Sequence, residues 1–115
     1  MIYSLEDENT FAEKMKEAGN KLVVIDFYAD WCSPCQMVAK WYKDLPEQYP
    51  DVIFCKVNID EAENLVEKFN IATIPHILLF KDGQKIEIQD NNNDKNTLKK
   101  NIEIYKEDQS VSKTK

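Results

Sequence analysis

The chain has 115 residues and a formal net charge of −6, with 43% hydrophobic and 31% charged residues, the size and balance of one soluble globular domain. It has no arginine and sets 15 lysines against 21 acids, which speaks against nucleic acid as a partner, since phosphate and base-edge contacts need cations. Two glycines, Gly19 and Gly83, leave no Gly-rich phosphate loop, and three cysteines do not make a disulfide-framed secreted scaffold.

In chain order, acids at Glu6, Asp7 and Glu8 lead into Phe11, Met15 and Ala18. That spacing predicts an amphipathic helix closed by Gly19-Asn20. Leu22 to Tyr28 is an apolar run without alternation, the pattern of a central strand covered on both faces. Residues 34–49 read as a helix with Pro34 in its first turn and Pro46 breaking or kinking its far end. Val52 to Val57 is a second central strand, Ile59 to Phe69 a second amphipathic helix, and Ile77 to Phe80 a third strand. Asp82-Gly83 signals a hairpin turn into an edge strand carrying Ile86 and Ile88. A polar loop over Asp90–Asp94 precedes a last helix marked by Leu98, Ile102 and Tyr105.

The resulting order, βαβαβαββα, predicts an α/β fold with a mixed sheet. The expected organisation is one domain over 1–106 and a disordered tail over 107–115. No run approaches the roughly 20 apolar residues of a membrane span, and the first twenty residues lack an apolar signal core. A cytoplasmic protein made without export is the expectation.

Trp31-Cys32-Ser33-Pro34-Cys35 is the sharpest feature. It falls between a predicted strand and a predicted helix. Two cysteines three apart at a helix start can close a small disulfide ring. There, free backbone N–H groups and the helix dipole favour a thiolate at the first sulfur. The thiolate is the nucleophile of thiol–disulfide exchange, so Cys32 is expected to attack and Cys35 to resolve. Half of a zinc site is another reading, but a closed site needs four ligands, and only Cys55 and His76 remain. Two inert core cysteines are a third reading; Ser-Pro at a helix start is a poor core sequence.

With these residues the chain resembles the thioredoxin family over 1–106. The stretches that carry the resemblance are KLVVIDFYADWCSPC, VIFCKVNIDE and ATIPHILLFKDGQK, in the family's order and spacing. The resemblance implies a thioredoxin fold, with a central mixed β-sheet flanked by helices on both faces. It implies a thiol–disulfide oxidoreductase that reduces protein disulfides through Cys32 and Cys35 and carries no cofactor or metal of its own. Expected partners are disulfides such as those of peroxiredoxin or ribonucleotide reductase, with recycling by thioredoxin reductase and a monomeric chain. Two other functions use the same fold: a disulfide oxidase or isomerase of higher potential, and a non-catalytic binding subunit.

Asp26 is a lone carboxylate in an apolar strand, and burial should raise its pKa. The matching family residue is a buried aspartate that relays protons to the resolving cysteine. Lys56 matches a lysine close to that aspartate; a lysine snorkelling to the sheet edge is the plainer reading. Asp60 matches an acid that accepts from the active-site indole, and it also reads as the N-cap of a helix over 61–69. By resemblance the Ile74–Pro75 bond is cis, and Trp31, Ile74 and Pro75 frame substrate docking.

Several positions depart from the family. Ser33 stands where glycine is commoner, beside Pro34. His76 follows the proline where threonine is usual: either a titrating neighbour of Cys32 or an imidazole at a strand start facing loop or solvent. Lys40 replaces a mid-helix proline. Asn91 replaces a loop glycine and is the next-best residue for positive φ. Cys55 reads as buried filler, or, if exposed, as a regulatory thiol. Trp41 is either core or part of an apolar surface around Trp31.

Overall fold

A computed structural model describes residues 1–107. The tail expected over 107–115 lies, but for Glu107, outside the described residues. The elements run β1 Ile2–Ser4, α1 Glu8–Ala18, β2 Val23–Tyr28, α2 Ser33–Tyr42, α3 Leu45–Gln48, β3 Ile53–Asn58, α4 Glu63–Lys68, β4 His76–Lys81, β5 Gln84–Lys85 and α5 Lys95–Tyr105. The strands form one sheet in the order β1-β3-β2-β4-β5. β1 and β2 run parallel to β3, and β4 runs antiparallel to β2 and β5.

The central strands lack alternation because both faces of the sheet are covered. On one face Val23, Ile25, Phe27, Cys55 and Phe80 pack against Phe11 and Met15 of α1 and Leu65 of α4. Edge-to-face contacts join Phe11, Phe69 and Phe80 at 5.1–5.3 Å. On the other face Val24, Phe54, Ile77 and Leu79 meet Val38 and Tyr42 of α2, Leu45 of α3, and Leu98 and Ile102 of α5. Helices flank both faces of a mixed sheet, as the sequence leads one to expect.

Local chemistry explains most boundaries. Asp7 caps α1 through a reciprocal pair with Thr10, and Gly19 ends the helix at φ 60°. The helix read over 34–49 is divided. α2 stops at Tyr42 because the ring of Pro46 would collide with the Tyr42 carbonyl four residues earlier. The helix read over 59–69 begins only at Glu63. Asn58 captures the preceding chain in a turn, its Oδ1 accepting from the Asp60 N–H at 3.0 Å and its carbonyl from the Glu61 N–H at 3.0 Å.

The β4–β5 turn is the expected Asp-Gly type, with positive φ at both Asp82 (55°) and Gly83 (78°). The edge strand is shorter than Ile86 and Ile88 suggest. Ile86 makes the last ladder bond, donating to the Leu79 carbonyl at 2.8 Å, and both isoleucines then pack onto the α2–α5 face. Asn91 does not take the positive φ expected of it; Asn70 and Asp82 do. Among the described residues no helix is long and apolar enough to cross a membrane.

Candidate active site

The parallel β2 ends at Tyr28, and Ala29 to Trp31 carry the chain over the sheet's carboxyl edge to α2. Cys32 is the N-cap of α2, and its Sγ accepts from the Cys35 backbone N–H at 3.2 Å. Pro34 sits in the first turn, where no N–H is missed. Cys32 and Cys35 are joined in a disulfide with Cα atoms 5.2 Å apart, within the ordinary range for such a bond. Both are buried, at 5% and 3% exposed, so the two sulfur-bearing residues differ little in depth. Ala29 packs directly on the pair, with Tyr28, Ile59 and Ile74 around it.

The first sulfur therefore lies where the helix's unpaired N–H groups and its dipole favour negative charge. Ser33 and Pro34 between the sulfurs are exposed. Trp31 is 68% exposed, and its indole Nε1–H donates to Asp60 Oδ2 at 2.9 Å. Asp60 is thus an indole acceptor. It does not cap α4, whose N-cap is Ala62 with no side-chain bond.

Across from α2 the Ile74–Pro75 peptide is cis, and β4 starts one residue later. Pro75 is buried and Ile74 half-buried against the disulfide. Among the described residues, neither the N–H nor the carbonyl of Ile74 has a hydrogen-bond partner.

Asp26 is 4% exposed on the α2 face of β2, and among the described residues its Oδ1 has no hydrogen-bond partner. Burial pushes its carboxyl up to about 7, partly opposed by the Lys56 cation. Asp26 and Lys56 are register partners on β2 and β3, yet they form no ion pair; the Lys56 ammonium lies over the Tyr28 ring at 5.8 Å. Asp26, Cys35, Tyr28, Tyr42 and Lys56 line one open pocket of about 390 Å³. The buried carboxyl and Cys35 thus border the same pocket.

The remaining candidates separate from this cluster. His76 is half-buried at the start of β4; burial and the Lys85 cation lower its pKa, so the ring favours its neutral form. It borders a pocket lined also by Lys85, Glu87 and Asn91, and neither Cys32 nor Cys35 lines that pocket. Cys55 is fully buried on the opposite face of the sheet, with its thiol pushed up to about 12 by desolvation. That environment suits filler and not a reactive thiol. Trp41 packs partly into the α2–α5 core and also borders the exposed surface beside Pro34 and Met37. Among the described residues no group of three or more His, Cys, Asp or Glu side chains is placed to hold a metal.

Two features carry little sequence signal. The buried Tyr42 hydroxyl lies 2.8 Å from the Cys55 carbonyl and 3.2 Å from that of Val24, tying α2 to β2 and β3 beside Asp26. Its place on the inner face of α2, seven residues after Cys35, was the available clue. Asn93 donates from Nδ2 to the Pro75 carbonyl at 2.7 Å. In the sequence it was one polar loop residue among several.

A disulfide at a helix N-terminus, a cis-proline beside it and a buried carboxyl behind it make this protein a dithiol thiol–disulfide oxidoreductase on an α/β sheet. The family model described as Thioredoxin matches residues 2–104. Thioredoxin of Geodia cydonium is 41% identical over 86 residues, which are 75% of this chain and 81% of that one. The solved structure of Fasciola hepatica thioredoxin superposes with a TM-score of 0.85 at 27% identity, covering 91% of this chain and all of that one. A second solved structure, described as the basis of thiol resolving in yeast mitochondrial 1-Cys peroxiredoxin via glutathione/thioredoxin systems, matches at 33% identity and TM-score 0.79, covering 90% and 94%. The chain belongs to the thioredoxin family, and its activity is protein-disulfide reduction.

Proposed function

We propose that Cys32 is the attacking sulfur and Cys35 the resolving one. The observation that carries this is the position of Cys32 as N-cap of α2, its sulfur accepting from a backbone N–H. The Cys32 thiolate attacks one sulfur of a target disulfide; the other leaves as a thiolate and takes a proton from water. Cys35 gives its proton to the Asp26 carboxylate, through water in their shared pocket, and attacks the Cys32 sulfur. The target departs fully reduced and the chain is left with its Cys32–Cys35 disulfide. A carboxyl titrating near neutrality can both accept and return that proton, which suits Asp26 to the relay.

Trp31, Ile74 and Pro75 form the docking rim. The free backbone groups of Ile74 support pairing with an extended segment of the target, as in strand addition. Ser33 and Pro34 shape the surface between the sulfurs. Lys56 and Asp60 tune the carboxyl and the indole, and His76 stands as a neutral strand-start residue.

The partners we assign are peroxiredoxin and ribonucleotide reductase disulfides, with a flavin- and NADPH-dependent thioredoxin reductase recycling the oxidised chain. The yeast relative described with a peroxiredoxin supports the first of these. We place the chain as a monomer in a reducing, cytoplasmic setting, because the dithiol must be restored between turnovers. No feature of the site favours the oxidase, isomerase or binding-subunit readings. The test is NADPH-coupled reduction of insulin by thioredoxin reductase plus this chain, with Cys32→Ser as control. Turnover lost in the control supports the reading; equal turnover of both proteins contradicts it.

A further inference from the structure

β4 pairs with β2 from His76 onward, so the Pro75 carbonyl falls just outside the ladder. That carbonyl accepts from the Asn93 side chain at 2.7 Å. The loop that carries Asn93 is itself fastened. Asn91 Oδ1 accepts from the Asn93 backbone N–H at 2.9 Å, and Asp94 starts α5 by accepting from the Thr97 N–H at 3.0 Å. Below it Asn101, a buried polar residue of α5, donates to Asn92 Oδ1 at 2.7 Å. The asparagine loop thus joins α5 to the docking rim, and Asn93 borders the open surface shared by Pro34, Trp41 and Pro75.

We propose that Asn93 is a positioning residue for protein substrates. Its amide holds the Pro75 carbonyl, and so fixes the backbone of Ile74, whose free N–H and carbonyl pair with the extended segment around a target disulfide. The inference rests on the dithiol reading above. A small aromatic disulfide has no peptide backbone to pair, so its reduction does not use this device. Only the N–H donor matters here: aspartate and leucine match the shape of asparagine, yet an ionised aspartate only accepts and leucine does neither.

The experiment measures steady-state reduction of insulin and of 5,5′-dithiobis(2-nitrobenzoate) by the reductase-coupled chain, for wild type, Asn93→Ala, Asn93→Leu and Asn93→Asp. The expected result is a KM for insulin raised about tenfold in all three variants, with kcat and the small-disulfide rate within about twofold of wild type. Thermal midpoints identify any variant that fails to fold, and the others then carry the comparison. Unchanged insulin KM in the Leu and Asp variants would overturn the inference, and so would a parallel loss with both disulfides. A wild-type chain inactive on both substrates would sink the dithiol reading, and this inference with it.

Discussion

Asp26 and Lys56 stand side by side on neighbouring parallel strands, and yet the buried carboxyl forms no ion pair with that lysine. Desolvation therefore outweighs the neighbouring cation, and the pKa rises to about 7. The fold tolerates a costly group directly behind its redox pair.

That cost is measurable. The folded pKa lies above the unfolded value near 3.8, so ionisation favours the unfolded chain. Stability should fall as pH rises from about 4 to about 7 and level off above, a loss of about 4 kcal/mol if the group acts alone. Asp26→Asn should remove this slope, leaving the variant the more stable above pH 7, and should slow insulin reduction about ten- to a hundredfold. Denaturant unfolding of the oxidised proteins at several pH values checks the first part. A stability difference independent of pH would contradict it.

Lys56 lowers the Asp26 pKa without neutralising it. Lys56→Met should move the carboxyl titration, and the pH range over which stability is lost, to higher pH. NMR titration of the Asp26 carboxyl carbon gives the midpoint directly; an unmoved midpoint means the cation does not act on it.

The Trp31 indole is mostly exposed and is held by one bond to Asp60. Asp60→Ala should free it, with faster decay of fluorescence anisotropy and a fall in kcat/KM for insulin of about two- to fivefold, the worth of one solvent-exposed hydrogen bond. Stability should change by less than about 0.5 kcal/mol, because the pair is at the surface. A large loss of stability would show that Asp60 supports the fold.

Cys55, fully buried with a thiol pushed up to about 12, should resist alkylation while the protein is folded. With Cys32 and Cys35 oxidised, iodoacetamide labelling at pH 8 should be more than about a thousandfold slower than in guanidinium. Fast native labelling would place this thiol within reach of solvent.

The sheet and its two-sided core are legible because Leu22–Tyr28 and Val52–Val57 are apolar runs without alternation, each interrupted by a single charge, Asp26 or Lys56. β1 was placed in the order βαβαβαββα, but no residues mark its three-residue span, Ile2–Ser4. Pro46 breaks the helix read over 34–49, as its ring predicts, while the start of α4 is held back to Glu63 by the Asn58 turn, which periodicity alone does not show. The WCSPC pair and Asp26 announce themselves by reactive or misplaced residue types. The Asn93–Pro75 and Tyr42–Cys55 bonds do not, since they join segments 18 and 13 residues apart through ordinary polar groups. The positive φ assigned to Asn91 failed because its side chain closes an Asx turn with Asn93 instead.

Which sulfur attacks first is tested by trapping the mixed disulfide. Reduced Cys35→Ser and Cys32→Ser variants are mixed with an oxidised protein substrate and weighed intact by mass spectrometry, with the linked peptides then identified. With Cys32 as the nucleophile, a covalent adduct of the Cys35→Ser variant joined through Cys32 is expected, and none from Cys32→Ser. An adduct through Cys35 in the Cys32→Ser variant, or none in either, would contradict that order.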